Sequence, residues 1–555
     1  MVKKDNSEAP DAAASPPALP APPVPAPPVA PEPVRRVVAA IDIGSSALRL
    51  DIGEVGAQGD VRLLESLRHG VRLGKDVFTR GRIQQDTLRR CLAILKNYGR
   101  LLKEYGVNGA DQLRAVATSF AREAANRDMF VDRVSTATGI AVRVLEESEE
   151  ARLSYLAVQQ ILEASGLYAA GNLAVMEIGG GQTILLYIRG GKVTVAQSFR
   201  SGALRTRELV EASGGAGPRI KGVLKAYAVE LVDQIVQAIP REKITTLVVM
   251  GAGAHFAAEQ AATDAPGTDP RLTAISAARL AELADKLAPL PAAALVKTYK
   301  LAYQDAETLA PALMAMAQAA RALKLREVQA AQATLRDGLL RELAMREHRS
   351  AGFEEQVLYS AQTLAARYGV DEAHARDVEA AALALFDELR SEHQLGGHER
   401  LLLRCAAILH DIGIYVNARA HHKHSMYLIQ NSDLFGLTRH DMQIVATAAR
   451  YHRKALPTPA HPEFALLPTE DRMVVVKLAA ILRVADSLER THREAPHALE
   501  FRREADRFVI LVRDVEDLTM ERLVLQGKGN LFVDVFGLVP ELREVRTEAP
   551  GSAAG

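Results

Sequence analysis

The sequence predicts a chain of mixed class, α/β followed by all-α, with a small α+β unit at the end. Three observations carry this. A short apolar run, a Gly-containing turn and an alternating segment occur in that order twice, near residue 38 and near residue 173. Between about residues 275 and 490 the apolar residues keep helical spacing over long stretches. Phe508–Val512 and Leu531–Val535 then read as strands. The 555 residues accommodate several domains, at roughly 100–200 residues each.

Residues 10 to 33 hold eleven of the 25 prolines, so 1–34 is expected to be a disordered Pro/Ala-rich tail. Val37–Ile41 is a first strand, Asp42–Ser46 a tight turn, and Leu48, Leu50 and Ile52 alternate in a second strand. Residues 84–105 space Leu88, Cys91, Leu92, Leu95, Tyr98 and Leu102 as a helix. Residues 113–118 read as a strand, Arg122–Thr138 as one helix and 140–145 as a strand. The pattern restarts with Leu173–Ile178, the turn Gly179–Gly181 and a hairpin, 183–189 and 192–198, around Gly190-Gly191. Residues 219–238 are helical and Leu247–Met250 is a strand ending at Gly251. The stretch 275–345 is Ala- and Leu-rich and helical, and 371–392, 398–412 and 470–490 are further helices. The domains expected are 35–160, 161–340, 341–495 and 496–545, with a disordered tail over 546–555.

Lys+Arg and Asp+Glu both number 68, which excludes a strongly basic nucleic-acid binder. Two cysteines, Cys91 and Cys405, exclude a disulfide framework and fit a reducing cytoplasm. No apolar run reaches the roughly 18 residues of a membrane span.

Three glycine turns sit at strand ends: Asp42-Ile43-Gly44-Ser45-Ser46, Gly179-Gly180-Gly181-Gln182-Thr183 and Gly251-Ala252-Gly253. Exposed amides and hydroxyls in such turns hold phosphate oxygens. One turn alone is ordinary hairpin chemistry; three in duplicated halves point to phosphate. The strings IDIGSSALRL, VATSFAREAANRDMF, LEESEEARLSYLAV, EIGGGQT, SGALRTRE and VMGAGA resemble, in order, the exopolyphosphatase and guanosine pentaphosphate phosphatase (Ppx/GppA) family. The resemblance implies two actin-like α/β domains and places the general base at Glu150. It implies phosphate contacts from Asp42, Gly44, Ser45, Ser46, Arg49, Thr118, Arg122, Gly179, Gly180, Gly181, Gln182, Gly251 and Gly253. The family usually has Asp-Ile-Gly-Gly-Gly-Ser-Thr-Glu at the second turn, with both acids linked to magnesium. Here Glu177 stands first, Gln182 replaces the Ser and Ile184 replaces the Glu, and an isoleucine ligates nothing. Ser46 and Ala47 replace the usual Asn and Ser of the first turn.

The C-terminal half carries His374, His410, Asp411, His424, His452 and Asp486 on or beside helices. Imidazoles and carboxylates from separate helices converge on divalent ions and activate water. The series resembles an HD-domain phosphohydrolase and implies a metal site, with a transition metal such as Mn or Fe. His421 and His422 are expected behind the ligands or against substrate. Arg68, Arg72, Lys75, Arg80 and Arg82 form a basic stretch, expected to be a solvated face.

The resemblance implies a cytoplasmic, homodimeric, magnesium-dependent enzyme that removes the terminal phosphate of polyphosphate or guanosine pentaphosphate, without nucleic-acid or membrane partners. Two other readings use the same residues. In one, the His/Asp cluster hydrolyses a nucleotide or phosphodiester; in the other, both sites only bind and sense.

Overall fold

The computed structural model describes residues 36–56, 59–168, 171–213, 219–239, 244–263, 269–345, 351–488, 499–513 and 517–545. The tails expected at 1–34 and 546–555 lie outside them. The first half is built on strands β1 (Arg36–Ile43), β2 (Ala47–Val55), β3 (Val61–Gly70), β4 (Leu113–Ala117) and β5 (Val142–Val144), in the order β3-β2-β1-β4-β5. β1 is almost wholly apolar because both its faces are covered. Ala39 and Ile41 pack with Cys91 and Leu95, while Val38 and Ala40 pack with Leu335, Leu339 and Leu343.

The second half contains β6 (Asn172–Ile178), β7 (Thr183–Arg189), β8 (Lys192–Phe199), β9 (Thr246–Met250), β10 (Leu272–Ser276) and β11 (Glu327–Ala331). Their order is β10-β11-β9-β6-β7-β8. Setting aside β10, each sheet has an antiparallel meander followed by two parallel additions. The duplication read from the turns is therefore a duplication of topology.

Several expectations need correction. β3 was not expected; it is an edge strand bearing Arg62, Glu65 and Arg68, whose charges hide its period while protecting the edge. β11 lies inside the stretch read as helical, because Glu327–Ala331 is Ala-rich yet pairs between β9 and β10. Arg122–Thr138 is two helices, Ser119–Glu123 and Arg127–Thr138. In the break, the Asn126 amide accepts from Ile83 N at 2.9 Å and donates to Ile83 O at 3.0 Å. Leu531–Val535 is not a strand but part of a helix, Asn530–Phe536, stopped by Gly537 at φ 68°. Its buried Leu531 and Phe532 lie a helical turn from Val535 and Phe536, a period that a two-residue alternation does not fit.

The helix Leu335–Ala344 returns to the first sheet, so the boundary expected at residue 340 falls within it. Helices over 351–488 then form one core. The terminal sheet, β12 (Leu499–Glu504), β13 (Arg507–Arg513) and β14 (Val539–Val545), contributes Phe508, Ile510 and Leu542 to that same core. Among the described residues no helix is long and apolar enough to cross a membrane.

Candidate active site and a histidine-aspartate centre

β1, β6 and β9 end beside one another on the two sheets, and the three glycine turns follow them into a cleft of about 270 Å³. Two glycines are required by geometry. Gly251 has φ 99°, and a Cβ there would stand 2.9 Å from Ile178 O. A Cβ on Gly181 would stand 2.3 Å from Ser119 Oγ. Every phosphate-binding candidate except Arg122 lines the cleft, together with Glu150 and Glu177.

Arg122 stands behind the lining. Its Nη1 donates to Glu150 Oε2 at 2.9 Å and to Leu145 O at 2.6 Å, and its Nη2 donates to Gln182 Oε1. It thus bonds two cleft residues, Glu150 and Gln182, from outside the lining. Gln182 is 4% exposed, and with Oε1 occupied, its Nε2 has no hydrogen-bond partner among the described residues. A buried donor left unpaired is costly unless a ligand oxygen satisfies it. Nearby, Arg49 Nη1 donates to Asp42 Oδ2 at 2.9 Å.

Glu150 sits in the first turn of the helix Glu147–Ala164. Burial pushes its carboxyl up; Arg122 opposes the rise, while Asp42 and Glu147 add to it. Burial also pushes Glu177 up, to about 7, against the hydrogen bond from Ser154 and with help from Glu150 and Asp42. Ile184 is buried directly opposite Glu177 in the β6–β7 pair and packs with Val158, Val175 and Leu186. Among the described residues no three acids of the cleft converge as a ready ligand set. The donor chemistry fits a magnesium ion that brings waters and phosphate oxygens of its own.

Two cleft residues were missed from sequence. Arg336 donates its Nε to Asp51 Oδ2 at 2.6 Å, and its Nη1 lies 3.8 Å from Asp42 Oδ2. The available signal was the capping box Thr334-Leu335-Arg336-Asp337, which starts a helix at the cleft and puts the arginine in its first turn. His255 lines the cleft with a buried Nε2 that lacks a hydrogen-bond partner among the described residues, and carried no sequence signal. Of the basic stretch, Arg68 is exposed at the cleft, where it pairs with Asp305, and Arg72, Arg80 and Arg82 are exposed as well. Lys75 reaches Glu208 at 3.4 Å.

In the helical region two triads of ligand-type atoms form: His374, His410 and Asp486, and Asp411, His421 and His452. His410, His421 and His452 each donate Nδ1–H to the carbonyl three residues back, at 2.7, 3.0 and 2.6 Å. That leaves the three Nε2 lone pairs facing inward, the tautomer a metal requires. His410 is wholly buried, and its Nε2 has no hydrogen-bond partner among the described residues. The residues fit a divalent ion. His424 joins neither triad: it lies one turn beyond His421, half-buried, and it is His421 that stands with Asp411 and His452. His422 is buried nearby, its pKa pushed down to about 4 by burial and by His421.

A cleft between duplicated α/β halves, lined by three glycine turns and a buried carboxylate, is the arrangement of a protein that handles phosphate groups. The model of the Ppx/GppA phosphatase family matches residues 52–347, and that of Ppx/GppA phosphatase domain III matches 358–524. The chain belongs to the Ppx/GppA phosphatase family and is a phosphoanhydride hydrolase. It is 25% identical over 449 residues to a guanosine-5'-triphosphate,3'-diphosphate pyrophosphatase of Photobacterium profundum, covering 80% of this chain and 84% of the relative. It is 26% identical over 468 residues to the protein of that name from Vibrio cholerae, covering 83% and 88%. Similar solved structures include an exopolyphosphatase from Cytophaga hutchinsonii, with TM-score 0.48 and 20% identity over 56% of this chain and 98% of the other.

Proposed function

We propose that the cleft removes the terminal phosphate of guanosine pentaphosphate or inorganic polyphosphate, with Glu150 as general base. The carrying observation is the pair of Glu150 and the unpaired Gln182 amide, both aimed by Arg122 at the phosphate turns. Glu150 takes a proton from water as the water oxygen bonds to the terminal phosphorus. The P–O anhydride bond then breaks, and the bridging oxygen leaves on the shortened chain. Gln182 Nε2, the turn amides and Arg49 bind the phosphate oxygens. A magnesium ion, held by Glu177 and Asp42, would neutralise phosphate charge. The names of the bacterial relatives support guanosine pentaphosphate as a substrate. A homodimer and a cytoplasmic setting are part of this reading; the buried thiols Cys91 and Cys405 agree with the latter. The test is orthophosphate release from each substrate by purified protein, and release from neither refutes the proposal.

The two triads favour a second activity centre of the HD type in the helical region. Its inward Nε2 atoms and two carboxylates would hold one or two divalent ions, which supply a hydroxide for phosphoester hydrolysis. Metal analysis of protein purified without chelator tests this reading, and absence of bound transition metal counts against it.

A further inference from the structure

The helix Thr519–Lys528, between the strands of the terminal sheet, ends at the His/Asp centre. Lys528 is 7% exposed, and its ammonium donates to Asp486 Oδ2. The other carboxylate oxygen, Oδ1, lies 3.6 Å from His374 Nε2 and 3.8 Å from His410 Nε2. The two oxygens of Asp486 are therefore divided, one for the terminal unit and one for the triad. We propose that Lys528 is a positioning residue for Asp486, so that the triad His374–His410–Asp486 takes a divalent ion only with the terminal unit in place. This rests on the metal reading of the centre given above.

Rotation of a carboxylate about its last torsion is soft, so an aspartate ligand needs something to fix it. Partners behind metal ligands do this, and their loss costs about 10–100-fold in metal affinity. Lys528 is itself fixed. Arg483, buried one turn before Asp486 on the helix Thr469–Leu488, donates Nε to Lys528 O at 3.0 Å. Its Nη1 donates to Tyr451 O, also at 3.0 Å, next to His452. One guanidinium thus ties the lysine's backbone to segments carrying a ligand of each triad. The terminal unit shares the helical core through Phe508 of its sheet and Phe532 of the helix Asn530–Phe536, which keeps the lysine from swinging away. A buried ammonium without its carboxylate would be costly, so the pair is built as a unit. The lysine charge also repels an incoming ion, and the sign of the measured change decides whether orientation or repulsion governs.

The experiment titrates metal-stripped full-length protein with manganese(II) by calorimetry, for wild type, Lys528→Met, Lys528→Gln and Asp411→Asn, with circular dichroism to verify folding. Wild type is expected to bind two ions. Lys528→Met should weaken one of them about 10–100-fold and leave the other unchanged. Lys528→Gln, which keeps a donor without the charge, should fall between, and it carries the comparison if Lys528→Met does not fold. Asp411→Asn should weaken the other ion instead. Equal or tighter manganese binding in the Lys528 variants overturns the inference while leaving the metal reading intact. No manganese bound by wild type overturns the metal reading and the inference with it.

Discussion

Glu177→Gln should stabilise the protein, and only at the higher end of the pH range. Burial raises the Glu177 carboxyl from 4.5 to about 7, with Glu150 and Asp42 adding to the rise. That difference corresponds to roughly 3 kcal/mol between the protonated and charged forms. The folded protein binds the proton more tightly than the unfolded chain, so the cost of ionisation is absent below pH 4.5. It grows between 4.5 and about 7 and is fully present above that. Glutamine keeps the size and accepts from Ser154, but never ionises. Thermal melts of wild type and Glu177→Gln, followed at pH 5 and pH 8 in chelator, check this. At pH 8 the variant should melt higher, by on the order of 5 °C for the roughly 300 residues of the two α/β halves. At pH 5 the two should nearly coincide. A variant no more stable than wild type at pH 8, or one equally favoured at both pH values, would refute the burial argument.

Arg336→Met should raise KM for the phosphate substrate about 10-fold or more, with a smaller change in kcat, since a charged hydrogen bond contributes about 1.5–3 kcal/mol; an unchanged KM removes Arg336 from the substrate site. Ile184→Glu should lower stability by a few kcal/mol, because a carboxylate would enter the apolar cluster around Val158 and Leu186. Magnesium should recover more stability in that variant than in wild type, and a titration showing no difference would mean that the second turn is aligned wrongly with the family.

Much of this was legible from residues. The three turns, Glu150 and the repeated strand order are local signals, and the structure brings them to one cleft. Arg122 was found by motif, but its direction was not, since only packing decides that it backs Glu150. β11 was hidden because alanine favours helix, and strand pairing overrode that propensity. The helix Asn530–Phe536 was hidden because a short apolar run has no clear period, although Gly537 marked its stop. In the histidine series the residue types were readable, but not which residue of the His421–His424 run joins the cluster. Helix phase brings His421, not His424, beside Asp411 and His452. Lys528 carried no sequence signal, because its partner is 42 residues away.

The central claim is that the cleft, and not the histidine-aspartate centre, releases the terminal phosphate. The direct measurement is the rate of orthophosphate release from guanosine pentaphosphate and polyphosphate by wild type, Glu150→Gln and Asp411→Ala in one assay. Glu150→Gln keeps an acceptor for Arg122 but cannot take the proton from water. Its turnover should fall by about 10²- to 10⁴-fold, with KM nearly unchanged. Asp411→Ala should retain wild-type turnover. The reverse pattern, full activity in Glu150→Gln and loss in Asp411→Ala, would contradict the account and move the chemistry to the helical centre.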